Sequence, residues 1–261
     1  MKEVWRKKIQ SLLERGETED LQGALALVSF HIDHSENKEV ELEVVLSGIG
    51  DGIPIPYIIG YTLICGLKIF ISRDVLNPGP ETVTLIEKAR ECVVKHDSSR
   101  ILDLCTGSGA VAIVLAQICS GNIIATDISE KALAIAKLNA SENKVVINFM
   151  HGDLFGPVRG MVFDSIITNP PYVKSGAINL LPKFVRDFAP LTAIDGGDDG
   201  LFFHRAIISR AKGFLRPGGS LFIECEDNQD KEIEALAVKF GWEIRESFPN
   251  RHGNIRGFML I

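Results

Sequence analysis

The sequence predicts an α/β protein built on a doubly wound, mostly parallel sheet, and three observations carry that expectation. From Ile101 onward, short apolar runs alternate with amphipathic stretches of helical period, the order that builds a parallel sheet. Gly107-Ser108-Gly109 follows the first of these runs, where a strand passes into a helix. The last two runs, Trp242 to Glu246 and about Arg256 to Leu260, have no helix between them, so the last strand is expected to insert antiparallel.

Each element has its own signal. Val4, Trp5, Ile9, Leu12 and Leu13 share one helical stripe over Val4 to Glu14, and Gly16 stands where such a helix stops. A second helix is expected from Asp20 to about Phe30. The glycines of Gly48-Ile49-Gly50-Asp51-Gly52 mark a boundary, and Tyr57 to Val75 alternates apolar runs with glycines as a hairpin does. Asn77-Pro78-Gly79-Pro80 turns the chain into a helix from Glu81 to about His96. Strands are then expected at Ile101 to Leu104, Ile123 to Thr126, Val145 to Phe149 and Val162 to Thr168, with helices starting at Gly109 and Ser129. A helix from Gly200 to Leu215, a turn at Pro217-Gly218-Gly219, a strand from Ser220 to Glu224 and a helix from Asp227 to Phe240 precede the closing pair. The resulting division is a small helical N-terminal unit over 1–52 that binds substrate or partner, a hairpin linker over 53–80 and the α/β domain over 81–261.

Composition sets the bounds. A chain of 261 residues with 46% hydrophobic content suffices for one large domain and a small accessory one. The longest apolar stretch, Ile53 to Ile71, is broken by Pro54, Pro56, Gly60, Gly66 and Lys68, which excludes a membrane-spanning helix there. The basic start runs into an amphipathic helix rather than a cleavable apolar segment, so the cytoplasm is the default location. Five cysteines, odd in number and without metal-type spacing, read as reduced thiols. A net charge of −6 argues against a long nucleic-acid footprint. His31 and His34 have no third ligand near them and read as surface residues, Glu39, Glu41 and Glu43 read as a solvated face, and no metal site is expected.

Two motifs carry the chemistry. In Asp103-Leu104-Cys105-Thr106-Gly107-Ser108-Gly109 the glycines allow a tight turn and close backbone approach, and the next helix offers free N–H groups to a ligand. The same turn satisfies a dinucleotide pattern, with Asp127 where a ribose carboxylate falls in either case. Asp103 separates the two readings. Its charge repels a pyrophosphate but suits the cationic amino acid end of S-adenosylmethionine. Asp127 is then the ribose acceptor, Ile128 flanks the adenine, and Asp153 in Gly152-Asp153-Leu154-Phe155 reaches the adenine amino group. Asp153 also has a plain reading as a turn or cap residue.

The second motif, Asn169-Pro170-Pro171-Tyr172, closes a later strand at the edge where ligands of open α/β folds sit. Two prolines fix the backbone and remove N–H donors, leaving carbonyls free to accept. A planar amide or amino nitrogen is a poor nucleophile because its lone pair is delocalised. Accepting its N–H bonds at the Asn169 side-chain oxygen and the Pro170 carbonyl holds it close, and Tyr172 can pack on its flat face. In this order the motifs describe an N-methyltransferase that works by positioning, without a strong general base.

Further segments carry a family resemblance. With Pro56-Tyr57-Ile58-Ile59-Gly60, Val75-Leu76-Asn77-Pro78-Gly79-Pro80-Glu81-Thr82, Gly196-Gly197-Asp198-Asp199-Gly200-Leu201 and Gly253-Asn254-Ile255-Arg256, the chain resembles the HemK/PrmC-type glutamine N5-methyltransferases over about residues 54–261. That resemblance implies a class I methyltransferase with a Rossmann-like sheet and S-adenosyl-L-methionine as cofactor. It also implies that the methyl acceptor is the Gly-Gly-Gln glutamine of a peptide-chain release factor. It assigns cofactor contacts to Asp103, Gly107, Asp127 and Asn169, and the substrate glutamine to Asn169, Pro170 and Tyr172, the expected catalytic residues; Thr106, Gly109, Ile128, Asp153 and Leu154 are expected as further cofactor contacts and Pro171 as a further substrate contact. The chain departs from the family at Gly79, usually arginine, Val83, usually an acid, and Ala189, usually glutamate, and its N-terminal region is short. Those departures leave open a small-molecule or nucleic-acid amino nitrogen as acceptor, or a non-catalytic binding protein on the same fold.

Overall fold

The computed structural model describes residues 7, 9–11, 21–93, 100–250 and 252–261. The expected first helix falls outside these except at positions 7 and 9–11, which are helical, and the expected end of the Glu81 helix near His96 also lies outside. Seven strands form one sheet in the order β5-β4-β3-β6-β7-β9-β8. They are β3 (Arg100–Leu104), β4 (Asn122–Asp127), β5 (Asn148–His151), β6 (Phe163–Thr168), β7 (Leu215–Glu224), β8 (Ile244–Pro249) and β9 (Ile255–Leu260). β3 to β7 are parallel, and β9 lies antiparallel between β7 and β8. This is the expected antiparallel insertion.

The strands read as almost continuous apolar runs because helices cover both faces of the sheet. Along β3, Ile101 points to the layer formed by helices Pro80–Val93 and Ala110–Ile118, with Leu85, Ile86 and Ile113. Leu102 and Leu104 point the other way, with Ile207 of helix Phe202–Ile208 and Ile233 of helix Asp230–Lys239. The period of two repeats in β7, where Phe222 joins the first layer and Leu221 and Ile223 the second. Each fully buried side chain of this size contributes about 1.5–3 kcal/mol.

A separate apolar cluster holds the N-terminal elements. Leu27, Val28 and Ile32 of helix Leu21–Asp33 pack with Val45 of helix Lys38–Gly50, Ile55 of the short helix Ile55–Ile59, and Tyr61. Tyr61 begins the hairpin β1 (Tyr61–Ile64) and β2 (Leu67–Phe70), whose turn has φ 49° at Cys65 and 81° at Gly66. Two positive φ values at the centre of a two-residue turn match the twist of the flanking strands. The hairpin is tied to the α/β layer by Asn139, which is fully buried on helix Glu130–Glu142. Its Oδ1 accepts from Phe70 N at 2.7 Å, and its Nδ2 donates to the Phe70 and Ser108 carbonyls at 2.9 Å each.

The structure corrects several expectations. Residues Lys38–Gly50 form a helix, capped by the Asn37 side chain, where only a solvated acidic face was read. Its Glu41 bonds His31 Nε2 at 3.0 Å, and His31 Nδ1 lies 3.2 Å from Tyr61 Oη, so His31 joins two elements rather than standing free on the surface. The passage from Tyr57 starts helical, because Pro54 and Pro56 suit a helix N-terminus and Gly60 at φ 80° ends it. β5 starts at Asn148 rather than Val145, since Lys144 at φ 55° and a bond from Val145 N to the Ala140 carbonyl close the preceding helix first. The helix expected over Gly200 to Leu215 is a shorter helix, Phe202–Ile208, followed by a 3₁₀ turn, Ala211–Phe214. Pro217-Gly218-Gly219 forms a bulge inside β7 rather than a turn before it, with the register passing from Phe163↔Leu215 to Ser165↔Ser220. Asn228 at φ 65° delays the next helix to Asp230. Among the described residues, no helix is long and apolar enough to cross a membrane.

Candidate active site

A cleft of about 230 Å³ opens at the carboxyl edge of β3, β4 and β6, where parallel strands diverge toward their helices. One half is built by the glycine turn. Gly107 has φ 55° and a Cβ there would meet nothing within 4 Å, so its backbone is open to close approach by a ligand. Gly109, at φ 82°, starts helix Ala110–Ile118 and rests on Ala136, whose Cβ would lie 3.0 Å from an added one. Gly109 shapes the turn from beneath.

Two carboxylates brace this half. Asp127, half-buried at the end of β4, accepts from Gly107 N at 2.8 Å and Ser129 N at 2.9 Å. Burial raises its pKa despite those bonds. Asp103 is 1% exposed and accepts from Thr106 Oγ1 at 2.5 Å and Ala112 N at 3.1 Å. Desolvation outweighs both bonds and pushes its pKa up to about 7, with the nearby Asp127 charge adding to the rise. Thr126 lines the same half with a buried Oγ1 that has no partner among the described residues. Ile128, Asp153 and Leu154 complete the wall, with Ile128 57% exposed and Leu154 buried at φ 43°.

The other half is built by side chains that come from distant parts of the chain. Asn169 Nδ2 donates to Thr82 Oγ1 at 3.1 Å, and among the described residues its Oδ1 has no protein donor. Thr82 sits in the first turn of helix Pro80–Val93 and donates to Glu224 Oε2 at 3.2 Å. Tyr172 Oη donates to Glu224 Oε1 at 3.2 Å and accepts from Arg256 Nη2 at 3.0 Å. Arg256 also reaches Glu226 and Asp227 at 3.2 and 3.3 Å. Glu224 is 2% exposed, and burial pushes its pKa up to about 7, against the pull of Arg256 and the two hydroxyls.

The main chain beyond Asn169 is held just as closely. Val173 N donates to the Ile194 carbonyl and Gly196 N to the Val173 carbonyl, at 2.9 and 2.8 Å. A Cβ on Gly196 would lie 2.7 Å from Tyr172 Cα, and one on Gly200 would run into the Tyr172 carbonyl oxygen. Buried Gln229 Nε2 donates to that same carbonyl at 3.1 Å and to the Gly200 carbonyl at 3.3 Å. The glycines in Gly196-Gly197-Asp198-Asp199-Gly200 therefore let a second segment pack directly on the Asn-Pro-Pro-Tyr backbone.

The cleft brings together Asp103, Thr106, Gly107, Asp127, Ile128, Asp153, Leu154, Asn169 and Pro171. Pro170 is buried, and neither it nor Tyr172 lines the cleft. Tyr172 points its hydroxyl into the Glu224–Arg256 pair. Sequence reasoning missed Leu76, Pro78, Thr82, Pro190 and Phe203 on the wall, and Glu224 and Arg256 behind it. For Thr82 a local signal existed, a proline at the head of a helix two residues earlier. For Glu224, read only as the end of a strand, none did.

A parallel sheet completed by an antiparallel strand, with a glycine turn and an Asn-Pro-Pro-Tyr turn on adjacent strands facing one cleft, defines a class I methyltransferase. Comparison with known proteins agrees. Residues 82–198 match the family model described as Methyltransferase small domain. The release factor glutamine methyltransferase of Thermodesulfovibrio yellowstonii is 38% identical over 197 residues, 74% of this chain and 71% of that protein. The protein of the same name from Buchnera aphidicola subsp. Acyrthosiphon pisum is 39% identical over 207 residues, 78% of this chain and 74% of that one. A methyltransferase of Pyrococcus furiosus shares the fold, with a TM-score of 0.58 at 19% identity over 75% of this chain and 89% of that chain. The chain belongs to the release factor glutamine methyltransferase family.

Proposed function

We propose that this enzyme transfers a methyl group from S-adenosyl-L-methionine to the side-chain amide nitrogen of the Gly-Gly-Gln glutamine of a peptide-chain release factor. When bound, the cofactor supplies an electrophilic methyl group on a sulfonium centre. The glycine-turn half of the cleft fits it: Gly107 leaves room for a ligand at the backbone, Asp127 and Thr126 offer oxygens to ribose hydroxyls, and Asp103 favours a positive charge. Ile128 and Leu154 supply apolar surface for a base, and Asp153 an acceptor for its amino group.

The observation that carries the acceptor reading is the Asn169 side chain. Its nitrogen is engaged by Thr82 and its oxygen remains available to an incoming N–H. An amide nitrogen held there needs no base in the transition state, because its proton leaves after the methyl has arrived; what this chain supplies is orientation. The wall at this end carries Leu76, Pro78, Pro171 and Pro190 beside the polar Thr192 and Asp195. Phe203, the aromatic lining residue, packs instead against the cluster containing Leu154. A glutamine side chain suits such a wall better than a nucleobase, which gains from a stacking ring. With Tyr172 turned away, the flat-face role expected of it is not part of this reading.

The helical unit over 1–52 is proposed to grip the release factor. Phe30, Val40 and Val44 leave apolar surface exposed on it, Val40 and Val44 one helical turn apart. For such a partner the cytoplasm is the proposed location. The test is transfer of labelled methyl from S-adenosylmethionine to purified release factors, alongside factors whose Gly-Gly-Gln glutamine is replaced. Label on the unaltered factor alone supports the reading; label on both, or on neither with cofactor bound, overturns it.

A further inference from the structure

The acceptor end of the cleft works in only one of the two orientations of the Asn169 amide, and that orientation is set by Thr82 on the cleft wall and Glu224 behind it. With Glu224 ionised, the single hydroxyl hydrogen of Thr82 points to Glu224 Oε2. The oxygen of Thr82 is then left only to accept, so it selects the nitrogen of Asn169 and turns Oδ1 away from itself. Tyr172 repeats the pattern on the other oxygen of Glu224: it spends its hydrogen on Oε1 and accepts from Arg256. Thr82 and Glu224 are 4% and 2% exposed, so water has little access to replace either partner.

We propose that Thr82 and Glu224 are positioning residues, a relay that locks the Asn169 amide with its oxygen toward the methyl acceptor. This rests on the reading of Asn169 as the residue that accepts from the acceptor nitrogen. Thr82 lines the cleft and Glu224 lies behind it, and both act through Asn169. A reversed amide would place an NH₂ group against the N–H of the acceptor, replacing an attractive bond with two opposed donors. The competing explanation is that the Thr82–Glu224 bond merely fastens helix Pro80–Val93 to β7. That explanation predicts lost stability and no selective loss of turnover.

The experiment compares Thr82→Val, which keeps the shape and removes the acceptor oxygen, with Thr82→Ser, which keeps it. Under the relay, Thr82→Val lowers kcat by about 10- to 100-fold while the cofactor Kd stays within about threefold, and Thr82→Ser retains kcat within about threefold. Turnover of Thr82→Val within threefold of the parent, or loss of kcat in step with cofactor affinity, overturns it. A second measurement needs neither a variant nor an acceptor. In the unaltered protein, the Asn169 Nδ2 protons should exchange with solvent at least tenfold more slowly than those of an exposed asparagine. Exchange at the exposed rate overturns the relay even where Thr82→Val fails to fold. Protected Nδ2 protons without methyl transfer to any release factor would instead remove the acceptor reading and leave the relay in place.

Discussion

The two halves of the cleft are held by different kinds of bond. On the glycine-turn side, the carboxylates find their partners close by in sequence: Asp127 bonds residues 20 and 2 positions away, and Asp103 residues 3 and 9 away. On the Asn169 side, the partners are 87, 142, 52 and 84 positions apart. The first half is therefore a local structure that needs little more than β3 beside β4, whereas the second exists only when a helix N-terminus, two strand ends and β9 meet. The halves should fail separately.

Asn169→Ala should give the largest effect, a loss of kcat of about 10²–10³-fold or more with cofactor affinity within a few fold, read by single-turnover transfer and calorimetry. Asp127→Ala should do the reverse. Loss of a charge-assisted bond worth about 1.5–3 kcal/mol weakens cofactor binding by about 10- to 100-fold while kcat at saturation changes little. Equal loss of cofactor binding in both variants would mean that the halves are one unit.

Gly200→Ala sharpens the contrast through stability. The residue has φ 74° and faces the Tyr172 carbonyl, so the substitution should cost about 1–3 kcal/mol and lower the melting temperature by several degrees. Gly160→Ala, at φ 80° with open space around it, should cost about 1 kcal/mol. Matching losses at the two glycines would show that packing on Tyr172 contributes nothing.

The smallest effect is a proton. Asp103 is raised to about 7 by burial, so at that pH about half the ligand-free molecules carry it protonated, and a cationic cofactor favours the ionised form. Binding should release about half a proton near pH 7, and affinity should rise with pH until the group is fully ionised. Calorimetry in buffers of different ionisation enthalpy measures this. Release undiminished in Asp103→Asn would assign the proton elsewhere.

How much of this was legible in the sequence follows the same division. The order of strands, the glycine turn and the Asn-Pro-Pro-Tyr turn could be read because each is a local pattern of period, turn chemistry and spacing. Glu224 could not, because nothing near it in the chain distinguishes it from any acid at the end of a strand, and Thr82 and Arg256, though inside quoted segments, take their roles only from partners far along the chain. The hydroxyl partners of Tyr172 were not legible either, since Arg256 lies 84 positions later. The helix at Lys38–Gly50 was missed for another reason: the alternation of Glu39, Glu41 and Glu43 obscured a helix that its cap at Asn37 announces.

The placement of β9 between β7 and β8 bears on how the molecule is made. Synthesis delivers β3, β4 and β6 early, so a growing chain can fold the glycine turn while still attached to the ribosome. Arg256 arrives only with the strand that slides into the open place beside β7, and its hydrogen bond to the Tyr172 hydroxyl closes with it. A half-made chain could therefore hold its methyl donor before it has anywhere to spend it.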